Sequence, residues 1–280
     1  MPDDPKSRAT KSTGSARRST GSGPKNDPLV VPRETPSSGA DILASPDYTF
    51  SMTELDNDSL RHEILSVAVS PDDEKLTQVQ ILGACGQDHA MMRIDHPVRL
   101  QVDGPLGDYA FAWCADLDVR LTGSVGHGVA EGLNSGAVRV RGNAGVGAGT
   151  AMSGGTLAIY GSANDRCGAA MRGGNIFVRG NVGDECGVGA LGGMIVIGGD
   201  AGLRLGDAMS NVTVFIRGRA KTLADGVVEA PLRKREQLRL GLLLINASIR
   251  GDAKEFRRIV PEAMLQAEEA SRGEVNPNWR

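Results

Sequence analysis

The chain has 280 residues, 40% apolar but only 4% aromatic, with 38 glycines and a net charge of −3. That length suits one large domain or two small ones, and the composition points to a core of small aliphatics joined by tight turns. The charge balance lacks the basic footprint of a nucleic-acid binder, and the sequence has no apolar run of about 18 residues that could span a membrane.

The start, MPDDPKSRATKSTG, lacks the apolar stretch of a secretory signal, and Asp3 and Asp4 argue against a transit peptide. Residues 1–40 hold six prolines and much Ser, Thr and Gly. They carry seven basic and four acidic groups, a local charge of +3. This composition predicts a disordered, solvated tail, with a docking arm for an acidic surface as the alternative. Cys85, Cys114, Cys167 and Cys186 form no C-x-x-C pair. Reduced thiols and a cytoplasmic location are therefore expected.

Residues 41–96 read as an N-terminal cap of helix and strand. Leu60, Ile64, Leu65 and Val67 follow Asp58 and Ser59, which predicts a short amphipathic helix starting there. Ser70-Pro71-Asp72-Asp73 then reads as a second cap and turn. TQVQILG and DHAMMRI are expected as strands.

From residue 97 to residue 222 the chain repeats. Gly104, Gly123, Gly142, Gly161, Gly180, Gly199 and Gly218 follow one another at steps of 19 without an insertion. Two and four residues before these anchors lie aliphatics such as Val102 and Leu100, Val140 and Val138, and Val178 and Ile176. The residues between them are mostly polar, as at Arg120 and Arg139. This period-two pattern gives each coil one short strand with its aliphatic face inward. Leu133, Met152, Met171 and Met209 share the position nine before the anchor and read as a second inward stack. Glycines three and seven after the anchor, and the pairs Gly154-Gly155, Gly173-Gly174 and Gly192-Gly193, are expected at corners, for φ > 0 or close backbone approach. No single coil can bury its own apolar face, so stacked coils must share it. The expected fold is an all-β core, a parallel β-helix of about seven 19-residue coils and roughly 30 Å long.

The last coil is degenerate, with Asn211, Val212 and Lys221 at glycine positions. Residues 223–280 read as a helical end cap. Pro231 is expected to open a helix with Leu238, Leu242, Ile245 and Ile249 on its packed face. Asp252 and Glu255 form a capping box for a second helix, DAKEFRRI, and Pro261 opens a third that ends at Gly273.

Candidate chemistry is sparse. Gly187 to Gly192 match G-x-G-x-x-G, but a dinucleotide site needs a helix after the motif, and the repeat already accounts for each glycine. Cys167 and Cys186, 19 apart, should be neighbours on adjacent coils and read as small buried core residues. His62, His89, His96 and His127 fall in no metal spacing, and the sequence has neither a G-x-S-x-G elbow nor a phosphate-binding loop. Asp184, Glu185 and Asp200 lie on corners, where solvated carboxylates are expected. No catalytic, cofactor-binding or metal residue is assigned to this chain.

The coils GNAGVGAGTAMSGGTLAIYGSANDRCGAAMRGGNIFVRGNVGDECG resemble the GXGXG domain of glutamate synthases. YTFSMTELDNDSLRHEIL is similar to the helical lead-in of that family's standalone subunits, and DHPVRLQVDGPLG to their first coil. GDAGLRLGDAMSNVTVFIRGRAKTLADGVVEAPL with DAKEFRRIV is similar to their closing segment. The resemblance covers about Tyr48 to Val260 and leaves out the tail. It implies a right-handed β-helix acting as a non-catalytic organising subunit of a glutamate synthase or N-methylglutamate synthase complex. The implied partners are a glutamine-amidotransferase subunit and a synthase subunit carrying FMN and an iron–sulfur cluster, with no cofactor on this chain. A related β-helix, the C subunit of formylmethanofuran dehydrogenase and its formyltransferase/hydrolase counterparts, is the alternative. Its closing segment fits less well. A free-standing esterase-like protein is a third reading, opposed by the missing nucleophile elbow.

Overall fold

The computed structural model of the chain describes residues 46–70, 76–246 and 251–273. The tail expected over 1–40, the turn residues Pro71, Asp72 and Asp73, and Ile249 lie outside them.

The elements run β1 (Tyr48–Ser51), α1 (Asn57–Ser66), β2 (Thr77–Leu82), β3 (Val98–Val102), β4 (Asp118–Leu121), β5 (Ala137–Val140) and β6 (Thr156–Ile159). They continue with β7 (Asn175–Val178), β8 (Gly192–Ile197), β9 (Asn211–Ile216), β10 (Val227–Ala230), α2 (Lys234–Asn246), a 3-10 turn (Ala253–Glu255), β11 (Arg257–Pro261) and α3 (Glu262–Gly273). All eleven strands form one sheet, parallel from β1 to β9 and closed by β11 and then β10. The result is a β-solenoid of about seven turns with coils of about 19 residues. Register follows the repeat: Val119 pairs with Val138, Val138 with Leu157, Leu157 with Ile176, and Ile176 with Ile195. A second, single-residue ladder runs through Leu106, Val125, Ala144, Ala163, Val182, Ala201 and Ala220.

The inward rows are buried as the alternation requires. Leu100, Val119, Val138, Leu157, Ile176, Ile195 and Val214 are fully enclosed, and so are Leu133, Met152 and Met171 of the second stack. The glycines divide by task. At the anchor Gly161, a Cβ would collide with the Gly142 carbonyl of the coil below, so close approach is the constraint there. At Gly168 the constraint is conformational, with φ at +71°.

The outward rows hold a feature that the alternation did not announce. Three residues before the anchors, the series begins polar, with Gln101, Arg120 and Arg139, and then turns apolar at Ala158, Phe177, Val196 and Phe215. The apolar half is buried in a second core beneath Leu240, Leu244, Ala253 and Phe256. The C-terminal segment is therefore a side cover over β6–β9 as well as an end cap.

Three local expectations are corrected, and one strand is new. DHAMMRI is not a strand: His89, Met91 and Arg93 adopt left-handed φ values of 53–58° and form a coil corner. Their backbone groups bond to the neighbouring coil, as His89 N does to Asp108 O, which stabilises a turn path over an extended one. β1, unforeseen, pairs with β2 and covers the first edge of the sheet. DAKEFRRI is only a 3-10 turn, capped by Asp252, followed by β11. Arg257, Arg258 and Ile259 pair antiparallel with Ile216, Phe215 and Val214, so the free edge of β9 is satisfied by a strand where a helix could not pair. Finally, α2 starts at Lys234, not Pro231, and turns the opposite face to the column. Leu240 and Leu244 are buried, whereas Leu238, Leu242 and Ile245 are 72%, 66% and 74% exposed. Leucines lie on both faces of this helix, so spacing alone could not choose. Glu236, bound to the buried Arg258, sets the rotation.

Candidate functional site

The corner side chains are largely committed to the stack. Asp184 Oδ1 accepts from Leu203 N at 2.7 Å, and Asp165 Oδ1 from Asp184 N at 2.8 Å. A second series passes from Asn143 to Ser162 N, Ser162 to Asn181 N, Asn181 to Asp200 N and Asp200 to Arg219 N. Each oxygen satisfies a corner amide one coil further on. Asp200 is exposed, as expected of a corner carboxylate, and its bond to Arg219 N is a further role in the stack. Glu185 pairs with Arg166 at 3.0 Å and lies 3.9 Å from Arg204.

The histidines are dispersed. His127 belongs to the corner series, its Nδ1 accepting from Val146 N at 2.9 Å. His89 stacks on Tyr109 with ring centroids 5.5 Å apart, and His96 Nε2 lies 2.9 Å from the Val67 carbonyl. His62 is exposed on α1. Arg93 sits over the indole of Trp113, 5.6 Å from the ring centroid. An open hollow of about 470 Å³ lies beside Tyr109, His127, Glu131 and Thr150. Among the described residues, no group of three or more His, Cys, Asp or Glu is placed to hold a metal ion.

Cys167 and Cys186 meet in the core, as their spacing predicts. Their mutual hydrogen bond, with burial second, holds the Cys186 thiol well above its ordinary pKa. Burial pushes Cys114 up to about 11, and its Sγ donates to the Met91 carbonyl at 3.2 Å. Gly187 and Gly189 lie in a corner with positive φ, and strand β8 follows where a dinucleotide site needs a helix.

Two surface features lie beside α2. One is the row of Leu238, Leu242 and Ile245 along the outer face of α2. The other is a cleft of about 390 Å³ between α2 and the first residues of β7–β9. Gly174, Asn175, Gly193, Met194, Thr213, Phe215, Glu236, Arg239 and Leu240 line it. No chemical motif marks either feature in the sequence. The apolar turn of the outward row at Ala158, Phe177, Val196 and Phe215 was the signal that this side of the column is covered.

Fold and surface together define a β-solenoid protein whose corner side chains largely serve its own stack. Compared with protein-family models, curated proteins and solved structures, the chain finds no match. No described helix is long and apolar enough to cross a membrane.

Proposed function

We propose that the chain is an organising subunit of a multi-subunit oxidoreductase of the glutamate-synthase type. It would hold a glutamine-amidotransferase subunit and an FMN- and iron–sulfur-bearing synthase subunit in a fixed relation, in the cytoplasm. The reading rests on the similarity of residues 48–260 to the standalone GXGXG subunits. Of the structural observations, the α2 row carries most weight. Leu238, Leu242 and Ile245 stand 66–74% exposed on a helix whose other face is anchored by Leu240 and Leu244. A contiguous apolar row held on an ordered scaffold is the kind of surface that subunit assembly covers. The flanking cations Lys234 and Arg235 favour an acidic rim on the partner.

Co-expression with an amidotransferase and an FMN-dependent synthase subunit encoded beside it tests the proposal. The three chains should co-elute, with flavin absorbance only in the assembly, and Leu242→Asp should release this chain from it. Stoichiometric FMN on the isolated chain, or separate elution of all three, would overturn the reading. Assembly with a metal-dependent hydrolase and a formyltransferase would favour the one-carbon alternative.

A further inference from the structure

We infer that the cleft between α2 and the sheet is a binding site for a small amphipathic organic anion, a carboxylate on an aryl or alkyl body. The inference is independent of the assembly reading and concerns a different face of α2. Its floor is lined by the apolar side chains of Met194 and Phe215, nearly buried, and Leu240, fully so. Its rim is polar and unspent. Among the described residues, the Asn175 carboxamide, the Thr213 hydroxyl and the Arg239 guanidinium make no hydrogen bond or ion pair.

The other charged group at the cleft is already neutralised. Glu236 Oε1 lies 3.0 Å from Arg258 Nε, and Oε2 accepts from the Arg233 backbone N–H at 3.0 Å. The charge left for a ligand is therefore the single positive charge of Arg239, with one amide and one hydroxyl nearby to orient an anionic head. Ligand sites combine these features: an apolar floor, a few convergent polar groups, and a volume of roughly 300–1,000 Å³. At about 390 Å³ the cleft is larger than an inorganic anion needs. A neutral apolar molecule would leave Arg239 unused. An anion joined to a compact apolar body uses both.

The position of the cleft follows from the fold. α2 covers the outward row three residues before the anchors, Phe177, Val196 and Phe215. The neighbouring outward row, Asn175, Met194 and Thr213, stays beside the helix edge. Gly174 and Gly193 keep its rim low, although contacts within the coil stack already require them to lack a Cβ.

The test is calorimetric titration of the full chain with 4-phenylbutyrate and with its neutral amide, 4-phenylbutyramide. The acid should bind saturably at one site per chain, and the amide at least about tenfold more weakly. Arg239→Gln should weaken the acid by about tenfold with unchanged thermal unfolding, since Arg239 is exposed. Asn175→Trp should abolish binding by filling the cleft from its rim. Ile245→Ser, on the far side of α2, should leave binding unchanged. Absence of saturable binding, equal binding of acid and amide, or an undiminished Arg239→Gln would each overturn the inference. So would loss of binding in Ile245→Ser, which would place the acid on the exposed row.

Discussion

Arg258, only 1% exposed, donates two hydrogen bonds to Glu268, at 2.7 and 3.2 Å, and thereby ties β11 to α3. Its Nε lies 3.0 Å from Glu236, so the same guanidinium joins α2 to both, and Arg233 also pairs with Glu268. Glu268→Ala should leave a buried charge partly unpaired and destabilise the fold by about 3 kcal/mol. Arg258→Met combined with Glu268→Leu should recover only part of that loss, because it removes the buried charge but leaves the half-buried Glu236 and Arg233 without their partners. Urea unfolding of the two variants decides it. A double variant no more stable than Glu268→Ala would show that packing, not charge pairing, is at stake.

Inward and outward positions one residue apart should respond in opposite ways to the same charge. Val178 is fully buried, and Arg179, next in the chain, is exposed. Val178→Asp places an unpaired carboxylate among stacked aliphatics and should cost about 3–5 kcal/mol or prevent folding. Arg179→Asp should stay within about 0.5 kcal/mol. Thermal melts followed by circular dichroism compare them, and similar melts would contradict the register of β7.

The corner series predicts a specific role for a side-chain acceptor. Asp184→Ala leaves the Leu203 amide without its 2.7 Å partner and should cost about 1 kcal/mol. Asp184→Asn keeps an oxygen in place and should be nearly neutral. Hydrogen exchange at Leu203 reads the bond directly: faster exchange is expected in Asp184→Ala and wild-type exchange in Asp184→Asn.

The cysteines differ in accessibility and acidity. Cys85 is exposed, while Cys114, Cys167 and Cys186 are buried. Iodoacetamide at neutral pH should modify Cys85 alone in the folded chain and all four after unfolding, as mass spectrometry would show. Burial raises the Cys114 pKa from 9.0 to about 11. Its contribution to stability is therefore complete below pH 9 and lost as pH rises towards 11, since the unfolded thiol ionises first. Cys114→Ala should show a shallower loss of stability across that interval than the wild-type chain.

The repeat made most of the column legible. A step of 19 with aliphatics two and four residues before each glycine leaves one way to bury both rows, and the register of Val119, Val138, Leu157 and Ile176 follows from it. Even the pairing of Cys167 with Cys186 could be read off, since equal positions in successive coils must touch. The ends were less legible because nothing there repeats. FRRIV has no period of its own that separates strand from helix, and it becomes β11 because β9 offers an unpaired edge. The cleft was only half legible. Asn175 and Thr213 share one coil position two repeats apart, so the repeat sets them in one row, but Arg239 joins them only once α2 has docked.

What the sequence determined by itself is the solenoid: its coil length, its inward rows and the sites where a side chain cannot fit. Each is a local constraint repeated often enough for neighbouring coils to enforce it on one another. What only the tertiary structure decided is which face of α2 meets the column. Leucines on both sides of the helix left that choice open. It was settled by the apolar outward row at Phe177, Val196 and Phe215 together with the ion pairs of Arg258, which act across distances the local pattern does not encode.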